Sequence, residues 1–171
     1  MANDWQRFHW DLDTAPDSSR PAMAPFIFRA ATAEDLAAVL KVVASALLME
    51  RAWTGPATEF SRDLEQRCEQ AFEGPSPACM VVQHGARVIG ASVLQLTEDA
   101  EFHLITGPCI LHEYRSRGFG SALLQQSLER LRDEGLHRAA ALARVNSTVA
   151  RFVYPKFGGV AEPVETPRLA A

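Results

Sequence analysis

An arginine- and glycine-rich loop stands between a strand-like segment and a leucine-striped helix. Its sequence is Arg115-Ser116-Arg117-Gly118-Phe119-Gly120, and Ser121 follows at once. The start of a helix gathers unpaired backbone N–H groups at the positive end of the helix dipole, so it binds anions. Gly118 and Gly120 have no side chains to keep a phosphate away from these N–H groups, and the arginines add positive charge. The loop therefore predicts a pyrophosphate site, although a plain tight turn would use the same glycines.

Two other phosphate-binding motifs do not fit this loop. The dinucleotide fingerprint requires a third glycine where this chain has Leu123, and a P-loop requires a Gly-Lys-Ser/Thr sequence that the chain lacks. The loop must therefore be interpreted together with the strands and helices around it.

Hydrophobic periodicity and turn residues predict a domain of mixed α and β character. Thr32 and Asp35 form a capping box for the first helix, and His84-Gly85 is the turn of a hairpin. Gly107-Pro108 interrupts the strand before the loop, where we expect a bulge or a splayed edge. The expected strands are 26–29, 80–83, 87–96, 101–111 and 138–145, and the expected helices follow Thr32 and span 56–73, 119–134 and 147–154.

Length and composition limit the class of protein. The 171 residues, 47% hydrophobic and 22% charged, suit one soluble globular domain. A net charge of -4 argues against nucleic acid as the main partner. The three cysteines lack CxxC spacing and fit a reduced compartment, and no segment is typical of a signal peptide or a membrane span. We therefore expect a cytoplasmic protein with no membrane partner and no metal site.

Residues 1–24 form an N-terminal extension of a different texture. They are rich in Asp, Pro and Ser, yet they include Trp5, Phe8 and Trp10, which are unusual in a fully solvated tail. We expect this extension to be partly docked or flexible, and the domain proper to span residues 25–171.

Four features together resemble the GNAT superfamily of acyl-CoA-dependent N-acyltransferases. They are the opening FRAATAEDLAAVL, the RSRGFG loop, Asn146 at a strand exit and the Tyr-x-Lys-x-Gly ending at Tyr154. The resemblance implies an α/β (α+β) single-domain fold, in which helices flank both faces of a mixed central sheet. It also departs from the family: His112 replaces a common proline, Pro155 follows the tyrosine, and few residues remain for the last two strands. The N-terminal extension or a second copy of the chain, as a homodimer, would fill that edge.

The resemblance also implies how an acyl donor binds. Acetyl-CoA would lay its pantetheine arm in the gap beside Cys109, Ile110 and Leu111, with Asn146 either bonding this arm or capping the last helix. Its pyrophosphate would be held by the loop residues Arg115, Arg117, Gly118, Phe119, Gly120 and Ser121. The Ile110 N–H would stabilise the oxyanion, and Tyr154 would protonate the departing thiolate, unless Tyr154 is simply a core residue. Cys109 is better interpreted as packing than as a nucleophile.

The base that deprotonates the amine is not determined by the sequence. Glu101 and His103 lie on the strand before the loop with matching parity, so we expect them to share a face. Glu50 and His112 are further candidates. Trp53 and Glu50 lie in a segment that suits an amine with an apolar body, although Trp53 equally fits the core.

These patterns predict an N-acetyltransferase that moves an acetyl group from acetyl-CoA to a primary amine of a small molecule or peptide by direct attack. The alternative is a non-catalytic CoA-sensing or interaction module with the same fold.

Overall fold

The computed structural model describes residues 4–14, 23–49 and 57–164. Their strands are β1 (Trp5–Asp11), β2 (Phe26–Ala30), β3 (Cys79–His84), β4 (Arg87–Val93), β5 (Cys109–Ile110), β6 (Arg138–Arg144) and β7 (Val160–Val164). Their α-helices are α1 (Leu36–Met49), α2 (Ala57–Ala71) and α3 (Phe119–Asp133), joined by 3-10 turns at Ala33–Asp35, His112–Tyr114 and Pro155–Phe157 and a π-helical turn at Val149–Val153. The mixed α/β fold expected from the sequence is confirmed. Glu50 and Trp53 lie outside the described residues.

The first sheet has the order β2-β3-β4-β5 and is antiparallel throughout. The predicted hairpin is present, since β3 and β4 pair around the turn at Gly85. Six of the seven residues of β4 are buried, and both α1 and α3 pack against it. Helices therefore cover both faces of this sheet, as its continuous apolar pattern predicts.

The second sheet has the order β6-β1-β7, and the N-terminal segment supplies its central strand. β1 runs antiparallel to both neighbours, with Trp5 opposite Arg144 on β6 and opposite Val164 on β7. Phe8 and Trp10 on β1 are buried, so this strand contributes to the hydrophobic core. Residues 5–11 of the N-terminal extension thus cover the edge of β6 and carry β7 on their other side.

The two sheets meet at Leu104 and then part. Leu104 bridges antiparallel to Leu94 and parallel to Ala141 of β6. The single long strand expected at 101–111 is therefore wrong: it is divided into this bridge and the two-residue β5. Leu104 and Cys109 are five residues apart in sequence, whereas Leu94 and Ala91, which pair with them on the neighbouring segment, are only three residues apart. The extra residues form the predicted bulge at Gly107-Pro108, and β5 and β6 diverge beyond it.

The last predicted helix is also different in kind. Instead of an α-helix over 147–154, a π-helical turn spans Val149–Val153, and Pro155 begins a 3-10 turn directly after Tyr154. A proline has no N–H for an α-helical hydrogen bond, so the α-helix cannot continue through it. The Tyr154 N–H instead donates to the Val149 carbonyl oxygen, at 2.8 Å. The widened turn changes the direction of the Tyr154 side chain relative to a regular helix.

Candidate active site

A cavity of about 660 Å³ opens where β5 and β6 part. Cys109 and Ile110 line one side, and residues 142–144 of β6 line the other. The loop before α3, the π-helical turn and residues of α1 and α2 also line the cavity. This cavity brings together the elements that the sequence predicted for a thioester site.

The glycine loop presents bare backbone to this cavity. Gly118 has a φ of 85° and is the N-cap of α3, a conformation that glycine adopts without strain. No atom of a neighbouring residue lies within 4 Å of where a Gly118 side chain would begin, and at Gly120 the nearest is 4.0 Å away. Phe119 between them points inward and packs on Phe26, with ring centroids 4.4 Å apart. The first N–H groups of α3 therefore lie beside the cavity with open space around them.

Arg115 and Arg117 differ in where their side chains go. Arg115 lines the cavity, and its guanidinium donates from Nε to the Ile110 carbonyl oxygen at 3.3 Å and from Nη2 to the Ala46 oxygen at 3.5 Å. Arg117 is exposed, stacks over Tyr114 at 5.5 Å and donates to the Glu113 carbonyl oxygen. Of these two arginines, only Arg115 lines the cavity.

Ile110 presents its backbone polar groups to the gap. The Leu111 N–H donates to the Ile89 carbonyl oxygen at 2.9 Å, and Gly90 is opposite Ile110. Because hydrogen-bonded and non-bonded pairs alternate in an antiparallel ladder, the Ile110 N–H and C=O point away from β4. They face the gap toward β6, whereas Leu111 is bound into the sheet and does not line the cavity.

Tyr154 reaches the same gap from the other side. Its side chain lines the cavity yet is only 1% exposed, and burial, with a smaller effect of the nearby Cys109 thiol, raises its pKa above the usual value. Its hydroxyl contacts the Cα side of Gly107, where a Cβ would overlap the oxygen. Gly107 has a φ of 62° and is held by Thr106, whose hydroxyl donates to the Gly107 carbonyl oxygen at 2.7 Å.

The N-terminal strand fixes the Tyr154 ring. Phe8 and Trp10 of β1 each present a ring edge-to-face to Tyr154, at centroid distances of 5.0 and 5.1 Å. Gly159 allows this packing, since a Cβ there would be 3.0 Å from the Trp10 ring. The aromatic cluster leaves Tyr154 little rotational freedom. No short sequence pattern links Trp10 of the extension with Tyr154, so this packing was not predicted.

The two candidate bases on the strand before the loop do not line the cavity. Glu101 is exposed and its carboxylate bonds to Arg7 Nη2 at 2.9 Å. His103 is 1% exposed, and its Nδ1 accepts a hydrogen bond from the Ala140 N–H at 3.1 Å. Burial lowers the pKa of His103 and so favours the neutral ring, and the hydrogen bond that Nδ1 accepts leaves the proton of that ring on Nε2. The imidazole therefore links the segment around Leu104 to β6. Its Nδ1, the nitrogen that would have to accept a proton from the amine, is already hydrogen-bonded to the Ala140 N–H.

Ser147, which the sequence analysis missed, lines the cavity, and Asn146 next to it does not. Asn146 is exposed, whereas the buried Ser147 hydroxyl accepts from the Ala150 N–H at 3.3 Å and donates to the Arg144 carbonyl oxygen at 2.7 Å. Serine is as good a helix cap as asparagine, so this preference is the signal that could have pointed to Ser147.

Cys109 and His112 also line the cavity. Cys109 is buried, and its thiol lies 3.9 Å from the Thr106 carbonyl oxygen. His112 is exposed and lines the cavity.

Within residues 4–14, 23–49 and 57–164, no group of three or more His, Cys, Asp and Glu is arranged to hold a metal ion. None of the helices in these ranges is long and apolar enough to cross a membrane.

Several solved structures share this fold. A GCN5-related N-acetyltransferase from Sphaerobacter thermophilus is 18% identical, with a TM-score of 0.62 over 92% of this chain and 48% of its own. An acetyltransferase from the GNAT family from Colwellia psychrerythraea is 14% identical, with a TM-score of 0.62 over 91% of this chain and 51% of its own. A functionally unknown conserved protein from Staphylococcus epidermidis is 12% identical, with a TM-score of 0.60 over 92% and 57%. The chain thus spans about half the length of these structures, and the likeness shows the fold.

A comparison with curated proteins found no match. The model of the acetyltransferase (GNAT) family, however, matches residues 45–159, which include the glycine loop, β5 and Tyr154. This range is more than half of the chain. The chain therefore belongs to the acetyltransferase (GNAT) family.

Proposed function

We propose that this protein transfers an acetyl group from acetyl-CoA to a primary amine. The observation that carries the proposal is the convergence of three groups on one cavity: the open amides of the glycine loop, the outward-facing Ile110 N–H and the buried Tyr154 hydroxyl. Membership of an acetyltransferase family supports the same conclusion.

The donor would be held by backbone more than by side chains. Its pyrophosphate binds the N–H groups at the start of α3, where Gly118 and Gly120 allow close approach. Its pantetheine arm lies between β5 and β6 and pairs with the Ile110 C=O, so that the thioester carbonyl at the end of the arm reaches the Ile110 N–H. The Arg115 guanidinium, which bonds to the Ile110 oxygen, moves aside when the arm pairs there.

The transfer follows from this placement of the thioester. The amine nitrogen attacks the thioester carbonyl carbon, and the resulting oxyanion accepts a hydrogen bond from the Ile110 N–H. The C–S bond then breaks, and the thiolate takes the proton of the Tyr154 hydroxyl while the new amide forms. The alkylammonium loses one proton to water before it attacks. The nitrogen of the tetrahedral intermediate then loses a second proton, which returns through solvent to the Tyr154 phenolate and restores the phenol.

Burial raises the pKa of Tyr154, which makes the phenol a weaker acid but keeps its proton in place until the thiolate departs. A phenol whose pKa is raised by burial keeps its proton at neutral pH, so it is present in the form that can donate. The same burial makes Tyr154 unsuitable as the base that deprotonates the incoming amine.

Tyr154→Phe tests the assignment of the acid. The variant should lose about a hundredfold in kcat with acetyl-CoA and an accepted amine, because general acids typically contribute 10² or more. CoA affinity, measured by calorimetry, should stay within about twofold, since the ring and its packing on Phe8 and Trp10 are kept.

Tyr114→Phe is the matched control, because Tyr114 is the only other tyrosine of the chain and also lines the cavity. Equal rates in both variants would refute the role of Tyr154. CoA binding without thiol release against any amine would instead indicate a binding module, and an absence of CoA binding would overturn the proposed function.

A further inference from the structure

The cavity carries charge of one sign. All the Asp, Glu, Lys and Arg side chains among its described lining residues are arginines: Arg67, Arg115 and Arg144. The chain as a whole has a net charge of -4, so this one-sided lining differs from the rest of the surface. A cavity walled by positive charge and low-dielectric protein concentrates anions.

Arg115 belongs to the loop that faces the donor, but the other two arginines come from different elements. Arg144 ends β6 and stacks over Trp5 of β1 at 5.1 Å. Arg67 lies on α2, half-buried between the buried Leu64 and Cys68. Within the described residues, no hydrogen bond or ion pair holds the Arg67 guanidinium. A half-buried arginine that has no partner among the described residues favours an anion from outside.

The part of the cavity beside Arg144 is aromatic. Trp5 and Phe102 line it, and each ring is covered on one side by an arginine, Arg144 over Trp5 and Arg7 over Phe102 at 5.0 Å. Strand alternation separates Trp5 from Phe8 and Trp10, which pack on Tyr154 from the other face of β1. These residues therefore form an apolar wall apart from the acid.

We propose that the acceptor is a primary amine that also carries a carboxylate and an apolar body, and that Arg67 binds the carboxylate. This inference rests on the acetyl transfer proposed above and names its substrate class. The two parallel N–H groups of a guanidinium match a carboxylate, and the aromatic wall suits an apolar side chain. Polycationic acceptors, such as polyamines or lysine-rich peptides, are disfavoured because three arginines repel them.

The test measures binding separately from turnover. 3-Phenylpropanoate, which has the carboxylate and the ring but no amine, is titrated by calorimetry into the CoA-saturated protein, and its neutral amide is titrated in parallel. The acid should bind about tenfold more tightly than the amide, since a charge-assisted hydrogen bond contributes about 1.5 kcal/mol or more. Arg67→Gln should remove this preference and leave CoA affinity unchanged.

Arg62→Gln is the matched control, because Arg62 is exposed on the same helix and does not line the cavity. It should keep the preference for the acid. Equal binding of acid and amide, no binding of either, a preference that survives in Arg67→Gln, or a loss of CoA affinity in that variant would each overturn the inference.

A parallel assay of thiol release compares phenylalanine with phenethylamine. A higher kcat/KM for phenylalanine that Arg67→Gln abolishes supports the inference. If the carboxylate binds as expected and yet neither amine is acetylated, the carboxylate site stands and the proposed transfer fails. The two failures are therefore distinguishable.

Discussion

The contact between Gly107 and Tyr154 shows how one residue without a side chain can determine the position of the phenol proposed as the acid. Gly107 lies in the bulge that separates the Leu104 bridge from β5, and its φ of 62° favours glycine. The Tyr154 hydroxyl occupies the space where any Cβ would be. The bulge thus opens the gap between the strands and makes room for the phenol in it.

Gly107→Ala should therefore damage both stability and catalysis. The left-handed backbone alone costs an alanine about 1–2 kcal/mol, and the overlap with the hydroxyl adds to this cost. The phenol must also shift, and a displacement of about 1 Å can reduce a rate a hundredfold. Urea unfolding and kcat with acetyl-CoA measure the two effects.

Gly85→Ala separates the cost of the left-handed backbone from the effect of the overlap with the Tyr154 hydroxyl. Gly85 has a similar φ of 58°, but no neighbouring atom lies within 4 Å of its Cβ position. This variant should show the backbone cost and an unchanged kcat. If Gly107→Ala behaved in the same way, the contact with Tyr154 would have no role in placing the acid.

At the scale of elements, β1 supports the site although it lies far from it in sequence. Its ladders join β6 to β7, and its buried face packs on Tyr154. Phe8→Ala should cost about 3–5 kcal/mol of unfolding free energy, because it empties a core position that is 1% exposed. Denaturant unfolding measures this loss of unfolding free energy. If Phe8→Ala does not fold, the milder Phe8→Leu is compared with the unsubstituted protein instead.

Phe152→Ala is the control for this change. Phe152 is 63% exposed, so its truncation should alter stability by no more than about 0.5 kcal/mol. Similar, small effects of both variants would show that β1 is not part of the cooperative core.

The sequence predicted the elements whose signals are local. The capping box at Thr32, the hairpin at Gly85 and the glycine loop before α3 each depend on residues a few positions apart, and the structure has all three. The π-helical turn was not predicted, because its hydrogen-bond pattern depends on how Tyr154 packs against β1. The packing of β1 on Tyr154 joins residues more than 140 positions apart, and no short pattern encodes it.

At the scale of the whole molecule, the two sheets are joined within the described residues by Leu104 and part beyond it. The edges of β5 and β6 that face the gap belong to different sheets. A pantetheine arm that pairs with β5 and contacts β6 would therefore connect them in place of a missing strand. The free protein and the donor complex should differ most at these edges.

Amide hydrogen exchange at two adjacent residues tests this connection. The Ile110 N–H points into the gap, whereas the Leu111 N–H is bonded to Ile89 at 2.9 Å. Ile110 should exchange fast in the free protein and about a hundredfold more slowly at CoA concentrations of 100 times Kd, while Leu111 stays slow in both states. ADP, which has the pyrophosphate but no pantetheine arm, should leave Ile110 fast. If CoA left Ile110 as exchangeable as ADP does, the arm would not lie between the sheets, and the thioester could not reach the oxyanion donor.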